Sequence, residues 1–497
     1  MDKKKPTREQ LIELAKRDPE AIADLVLALW DRVEALEAKV SQLERNSRNS
    51  SRPPSSDAGN FTNPPKPKSR RVKSGRRPGG QKGHPGGRLE QVADPDHVIT
   101  HSIPGDGRCE RCGTPLGSTG QARPGHECRQ VFELPAIRLE VTEHRAEVAI
   151  CPACDARNTA GFPAGVDAPV QYGPGVRATA IYLNAFQLIP FDRLAGLFGD
   201  IFGFRPSTGT LANFVKRGGD DAAAAMGPVR EALVAADVAQ ADETGCRVGG
   251  VRRWLHVLST PLLTSYHIDE KRGLEGMDRP GLLSRFGGKL VHDFWGAYRR
   301  LKGCRHFACG AHLIRELTYL HEELDQGWAG DLVDLMLEAK DLRDREDRRA
   351  EGARHVIGKA TRARIRARYR EIIAAGKRAN PEPPPQPGKR GRPKRGKALN
   401  LLLRLEPRYG EIMGYFEEEG VPFDNNLAER DLRMMKVREK ISGTFRSEGH
   451  PGLFADIRSI ISTARKQARS VLDTLRRMQE DPVRLGESLA SQPNRPE

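Results

Sequence analysis

The chain has 497 residues, room for two to four domains. It carries 82 Lys and Arg against 66 Asp and Glu, a formal net charge of +16. Such a balance favours a polyanionic partner, of which the phosphate backbone of nucleic acid is the commonest. No stretch reaches the roughly 18 apolar residues that span a bilayer. The opening "MDKKKPTREQ" has no apolar run behind its charges, so no secretory signal is expected. The expected compartment is a reducing cytoplasm, where the 8 cysteines read as metal ligands or buried thiols rather than disulfides.

In chain order, residues 1–45 predict an oligomerisation helix. Val26, Val33 and Val40 fall at the a positions of a heptad, and Ile22, Leu29, Leu36 and Leu43 at d. β-Branched a and mostly Leu d residues favour a parallel dimer. Residues 46–105 predict a linker and a basic arm. "NSRNSSRPPSSD" is linker-like, and Ala58 to Leu89 holds no Asp or Glu while including Arg76, Arg77 and Lys82. One sign of charge among Gly and Pro suits an arm that tracks DNA phosphate.

Residues 106–165 contain Cys109-x-x-Cys112 and Cys151-x-x-Cys154, with Cys128 and His126 as spare ligands. Two CxxC pairs suit a closed, structural Zn²⁺ site of four thiolates. The span between them exceeds the usual short spacing. The alternating "VFELPAIRLEVTEHRAEVAI" predicts a β-hairpin that brings the pairs together. A metal-free loop with coincidental spacing fits the same pattern.

Residues 170–218 predict short helices, with Gly203 ending one and Ser207 or Thr208 capping the next. That pattern fits a DNA-binding helix-turn-helix and fits an ordinary helical hairpin nearly as well. From Val234, "DVAQADET", "RRWLHVLS", "LTSYHID" and "KLVHDFW" predict strands. Helical periodicity resumes at "CGAHLIRELTYLHEEL", and a Pro-rich stretch contains "GKRGRPKRGK". The Arg-Gly-Arg-Pro core, with Arg392, resembles a segment that enters the minor groove.

Asp242 and Asp293 are expected at strand ends, and Glu429 on a helix. Carboxylates placed there are poorly solvated unless a cation balances them. Two Mg²⁺ ions would do so and would serve an in-line displacement at phosphorus. The helix after Glu429 carries Arg430, Arg433, Lys436, Arg438 and Lys440, suited to arriving phosphates. Glu243, beside Asp242, is expected on the opposite strand face and dispensable for activity.

The chain resembles the transposases of insertion-sequence family 66. The resemblance rests on "NSSRPPSSD", "GRRPGGQKGHPGG", "YGPGVRATAIYLN", "ADETG", "HDFWGAY", "CGAHLIREL", "VPFDNNLAERDLRMMKVREKISGTFRS" and "ISTARKQ", in family order. It implies an RNase H-like α/β catalytic domain at 230–470, which with the coiled coil, zinc ribbon and helix-turn-helix-like region read above makes the expected chain an α+β multidomain protein. A helical and Pro-rich insertion occupies about 325–400, and a tail 471–497. It implies a catalytic triad of Asp242, Asp293 and Glu429 that holds two Mg²⁺. DNA at terminal inverted repeats and target sites, a homo-oligomer of at least two chains, and small accessory proteins of the same element are the implied partners. Cys309 and His312 fit a C-x-x-H element that organises the catalytic domain, and with Cys304 and His306 they offer a second set of zinc donors. Lys436 matches a phosphate-contacting position of some cut-and-paste enzymes. The Tyr and Arg of that signature are replaced by Pro422 and Asn425. An inactive or regulatory zinc-containing DNA-binding protein derived from a transposase is the rival reading.

Overall fold

The computed structural model describes residues 8–43, 89–101, 107–115, 127–135, 137–349, 357–384, 393 and 395–491. Arg76, Arg77, Lys82, His126 and Arg392 lie outside the described residues. The chain forms two compact units, one of residues 1–59 with 141–497 and one of residues 60–140.

Two helices begin the first unit, α1 (Arg8–Arg17) and α2 (Pro19–Leu43), packed on one another. Pro19 opens α2, where its missing N–H is harmless. The Asp18 carboxylate accepts the Ala21 N–H at 3.0 Å. On α2 the heptad residues Val26, Leu29, Val33 and Leu36 are each 53–55 % exposed.

The alternating stretch after Val131 is a strand only at its end. β1 (Val148–Ile150) pairs antiparallel with β2 (Arg157–Thr159) and brackets Cys151 and Cys154. The long hairpin expected between the cysteine pairs is absent among the described residues. Pro135 offers no ladder donor, and Val131, Leu134 and Val141 are more than four-fifths exposed. Alternation without a covering layer does not make a sheet.

Three helices follow: α3 (Pro174–Ile181), α4 (Phe191–Phe202) and α5 (Thr208–Val234), with one π turn at Tyr182–Phe186. Gly203 ends α4 in the left-handed region at φ 73°, and the Ser207 hydroxyl accepts the Thr210 N–H at the start of α5. Both caps match the sequence reading. The helix expected to stop near Gly218 instead runs on for 27 residues. Gly218 and Gly219 are close-approach positions: a Cβ would sit 2.4 Å from Ile181 Cδ1 and 2.6 Å from Leu453 Cβ. Their lack of a side chain serves helix packing rather than termination.

The sheet has order β5-β4-β3-β6-β7. β3 (Val238–Val248), β4 (Val251–Ser259) and β5 (Thr264–Asp269) form an antiparallel meander. The two-residue turn Gly249–Gly250 has positive φ at both positions, as the tight hairpin turn requires. A short helix, α6 (Leu274–Met277), leads to β6 (Lys289–His292), parallel to β3. Then β7 (Arg305–Ala308), which the sequence reading missed, lies parallel to β6.

Helices α7 (Gly310–Glu323), α8 (Gly327–Arg349), α9 (Lys359–Ala379), α10 (Lys397–Leu405) and α11 (Tyr409–Glu417) separate β7 from α12 (Asn426–Ile441). They share a core with β6 and β7 through Phe307, Leu317, Trp328, Ile365 and Phe416. Each such fully buried side chain contributes about 1.5–3 kcal/mol by transfer from water. Helices α13 (His450–Lys466), α14 (Val471–Glu480) and α15 (Pro482–Ala490) close the chain, with α13 and α15 against α5.

The edge strand β5 is not left open. Helix α13 lies along it, where Ser459 Oγ accepts the Tyr266 N–H at 2.8 Å and Thr463 Oγ1 the Thr264 N–H at 3.1 Å. No described helix is long and apolar enough to cross a membrane.

Candidate active site

The parallel ladder between β3 and β6 runs from Val238↔Lys289 to Gln240↔Val291 and stops. Asp242 lies two residues beyond it, and Asp293 directly follows β6. The two carboxylates therefore lie just past the end of the parallel β3–β6 pairing, on the side where α/β sheets open a crevice. Asp293 ends its strand as expected. Asp242 does not: β3 continues six residues past it, paired to β4, with Asp242 opposite Val257. Asp242 Oδ1 accepts the Glu243 N–H at 2.8 Å, and Asp293 Oδ1 accepts the Trp295 N–H at 3.0 Å. Phe294 between them has φ 55°, a strained value for a bulky residue and one that bends the chain sharply after Asp293.

Glu429 stands in the first turn of α12. Its helix is tied to β3 by residues just before it. Buried Asn425 donates from Nδ2 to the Ala241 carbonyl at 2.8 Å, and Gln240 Oε1 accepts the Leu427 N–H at 3.2 Å. Cys309 Sγ accepts the Asn425 N–H at 3.2 Å, while the Cys309 N–H donates to the His292 carbonyl at 2.8 Å. The Gly310 N–H donates to Phe423 O at 2.8 Å, and a Cβ on Gly310 would lie 2.6 Å from the Phe423 ring. Cys309 and Gly310 thus join the end of β6 to the start of α12.

The acids perturb one another. Burial and the neighbouring charges of Glu243, Asp293 and Glu429 hold the Asp242 carboxyl well above the usual range. Burial, Glu243 and Glu429 push Asp293 up to about 8. Burial, then Asp424, raise Glu429, against Arg315 and Arg433. The native state thus keeps a proton on Asp293 that an unfolded chain releases near pH 4. Without a cation, stability should fall as pH rises from about 4 to 8. A cation replaces that proton, so Ca²⁺ should raise the melting temperature more at pH 8 than at pH 6. Equal shifts at both pH values in thermal denaturation would contradict the coupling.

Glu243 is a member of the site that the sequence reading set aside. It is 1 % exposed. Arg272 Nε donates to its Oε1 at 2.9 Å and the Tyr298 hydroxyl to its Oε2 at 2.6 Å. Arg272 stacks on Trp295 and Trp254, with centroids at 4.1 and 5.1 Å. His292 lies flat on Tyr298 at 4.6 Å. Tyr298 closes the "HDFWGAY" stretch and Arg272 carries no motif of its own; only the fold brings both onto Glu243.

His312 faces Glu429, with Nδ1 3.5 Å from Oε1, and neither atom has a hydrogen-bond partner among the described residues. Burial pushes the His312 imidazole down to about 4 and the Cys309 thiol up to about 12. Donor atoms of Cys309, His312 and Glu429 lie within 4.8 Å of one another. Cys304 and His306 are not in that group. His306 instead contacts His292 and the Leu301 carbonyl, at 3.2 and 2.9 Å.

The basic face of α12 divides. Arg433 is exposed beside Glu429. Lys436 Nζ donates to the Gly245 carbonyl at 2.9 Å and so ties α12 to β3. Arg438 lies over the Phe445 ring at 3.6 Å and donates to Gly443 O. Its work is local packing.

Each CxxC pair forms a tight turn within its own unit. The Cys109 N–H donates to Thr114 O and Gly113 N–H returns to Cys109 O, both at 2.8 Å. Cys151 N–H and Ala156 O, and Asp155 N–H and Cys151 O, repeat the pattern at 2.9 Å. Gly113 and Asp155 both have positive φ. Hydrogen bonds, chiefly from Thr114 and from the Ala153 backbone, lower the Cys112 and Cys151 thiols respectively.

No curated protein matches the chain. Residues 4–90 match the model of a family of unknown function (DUF6444). Residues 169–450, which include the five-stranded sheet, Asp242, Asp293 and Glu429, match the model described as Transposase IS66 family. With more than half of its length inside that match, the chain belongs to the IS66 family of transposases.

Proposed function

We propose that this transposase cleaves DNA at the terminal inverted repeats of its insertion sequence and joins the ends to target DNA, using Asp242, Asp293 and Glu429 as the catalytic acids. The convergence of these three, from the interior of β3, the end of β6 and the first turn of α12, carries the reading. The sheet order, three antiparallel strands followed by two parallel ones, supports an RNase H-like catalytic domain.

The site suits hard divalent cations. Asp242 and Asp293 offer hard carboxylate oxygens, Glu429 Oε1 is orphaned beside the softer donors of His312 and Cys309, and like charges crowd one another. Asp242, Asp293 and Glu429 would hold two Mg²⁺, which when bound activate the attacking oxygen and stabilise the leaving one. The chain's own groups position the rest. The β3–β6 crevice fixes two acids, the Asn425 and Cys309 ties fix the third, and Arg433 draws phosphate towards them. A water oxygen attacks phosphorus in line, the P–O bond to the 3′ oxygen breaks, and that oxygen leaves as a 3′-hydroxyl. That hydroxyl then attacks a target phosphodiester, the target's own P–O3′ bond breaks as the new P–O bond forms, and the target strand leaves with a 3′-hydroxyl, so no protein nucleophile enters. A donor plasmid bearing the element ends tests this in cells: joined products should carry a short target duplication. Excision or joining that proceeds without the chain would overturn it.

Binding is assigned upstream. The basic arm, the Cys pairs and α3–α5 are proposed to recognise the ends, and α2 to pair two chains through its exposed heptad. The element's accessory proteins are proposed as further partners. Both Cys turns are built alike with lowered thiols, which supports a structural Zn²⁺ on Cys109, Cys112, Cys151 and Cys154. Purified protein should carry about one tightly held Zn²⁺ per chain. Cys151→Ser should release it and weaken end binding. Metal-free protein that binds ends normally would remove the site.

A further inference from the structure

Between α12, α13 and β5 lies a cavity of about 310 Å³, outside the acid cluster. Arg430, Arg458, Arg465 and Lys466 line it, with Asp431 as the one carboxylate. That carboxylate is already engaged. Lys466 Nζ pairs with Asp431 Oδ2 at 2.7 Å, and Ser259 Oγ donates to the same oxygen at 2.5 Å. Three guanidinium groups remain without a carboxylate among the lining residues.

Their placement is graded. Arg458 is 6 % exposed, and its Nη1 donates to the Ala185 carbonyl at 3.3 Å. Its Nε is buried with no partner among the described residues. Arg465 and Arg458 both stack on Phe186, at 5.3 and 5.5 Å from the ring centroid. The ring thus holds two like charges near one another. Arg430 and Arg465 are exposed at the rim, and no carboxylate pairs with either among the described residues. A buried donor without an acceptor is unfavourable, and so are clustered like charges. One anion with several oxygens relieves both, and planar guanidinium groups match phosphate geometry.

We infer that this cavity is a phosphate-binding site, occupied by a backbone phosphate of the DNA on which the chain acts. The inference rests on the transposase reading and adds a contact to it. Glu429 and Arg430 are consecutive on α12 and point to different faces of the helix. The helix that bears the third acid would therefore grip the DNA backbone on its other side and fix the acid relative to the strand being cut.

The test is a salt titration with full-length protein and a labelled duplex of the element end. Each phosphate contact contributes about 0.9 to the slope of log K against log salt. Arg465→Ala and Arg430→Ala should each lower that slope by about one and weaken binding several-fold at fixed salt. Arg465→Lys should restore most of the slope, because it restores the charge. Thermal melting of each variant checks that the fold is intact. An unchanged slope in both alanine variants, with wild-type binding intact, would overturn the cavity assignment and leave the transposase reading standing. Wild-type protein with no preference for the end duplex would instead overturn the reading beneath it. Inorganic phosphate provides the second arm. If it raises the wild-type melting temperature and Arg465→Ala abolishes that shift while the DNA slope stays unchanged, the ligand is free phosphate and the DNA assignment is wrong.

Discussion

Asp242→Asn, Asp293→Asn and Glu429→Gln are each expected to lose strand cleavage and strand transfer by about a thousandfold or more, because residues that act as one unit are not additive. Asp293 and Glu429 both raise the Asp242 carboxyl and Glu429 raises Asp293, so loss of one charge changes the cation affinity of the remaining pair. Binding of the element ends should survive in all three, since it is assigned to other parts of the chain. Ca²⁺ should support assembly without chemistry, because its larger and looser shell does not hold the geometry that Mg²⁺ holds. A gel-shift assay beside a cleavage assay separates the two properties. A variant that still cuts at more than a few per cent of the wild-type rate would remove that residue from the triad.

The second large effect falls on Glu243. Strand alternation alone makes it a harmless neighbour of Asp242. The structure makes it the buried centre of a polar network with Arg272 and Tyr298. Glu243→Gln leaves the Arg272 guanidinium without its charge partner, and breaking such a buried pair costs about 3–5 kcal/mol. The melting temperature should fall by roughly ten degrees for a domain of this size, and activity should fall with it. Replacing both partners, as in Glu243→Gln with Arg272→Met, should recover part of the lost stability, since the stranded charge is then gone. A single variant that melts with the wild type would show that the pair contributes nothing.

Much of this site is legible in the sequence because it lies on elements with strong periodicity. Alternation in "RRWLHVLS" and "LTSYHID" gives β4 and β5, and the apolar run "KLVH" gives β6 with Asp293 at its end. The caps at Gly203 and Ser207 are local chemistry and read directly. Three features are not local. β7 has four residues, too few for a pattern, and is a strand only because β6 lies beside it. The length of β3 depends on pairing with β4 through Val248, so Asp242 reads as a strand end when it is interior. Gly218 and Gly219 look like a stop, but their meaning comes from Ile181 and Leu453 on other helices. The same holds for Glu243, whose partner Arg272 sits in the loop before α6. The hairpin expected between the cysteine pairs fails for the converse reason, because its alternating residues have no layer to cover them.

The central claim is that these acids make a DNA-cutting site, and a single-turnover cleavage assay tests it most directly. Wild-type protein would be incubated with Mg²⁺ and a duplex carrying one element end, and the cut strand mapped to the nucleotide. The account predicts a single cut at the element boundary that leaves a 3′-hydroxyl, requires Mg²⁺ and disappears in Glu429→Gln. A cut that forms equally in Glu429→Gln, or end-bound protein that leaves the strand intact with Mg²⁺ present, would contradict it.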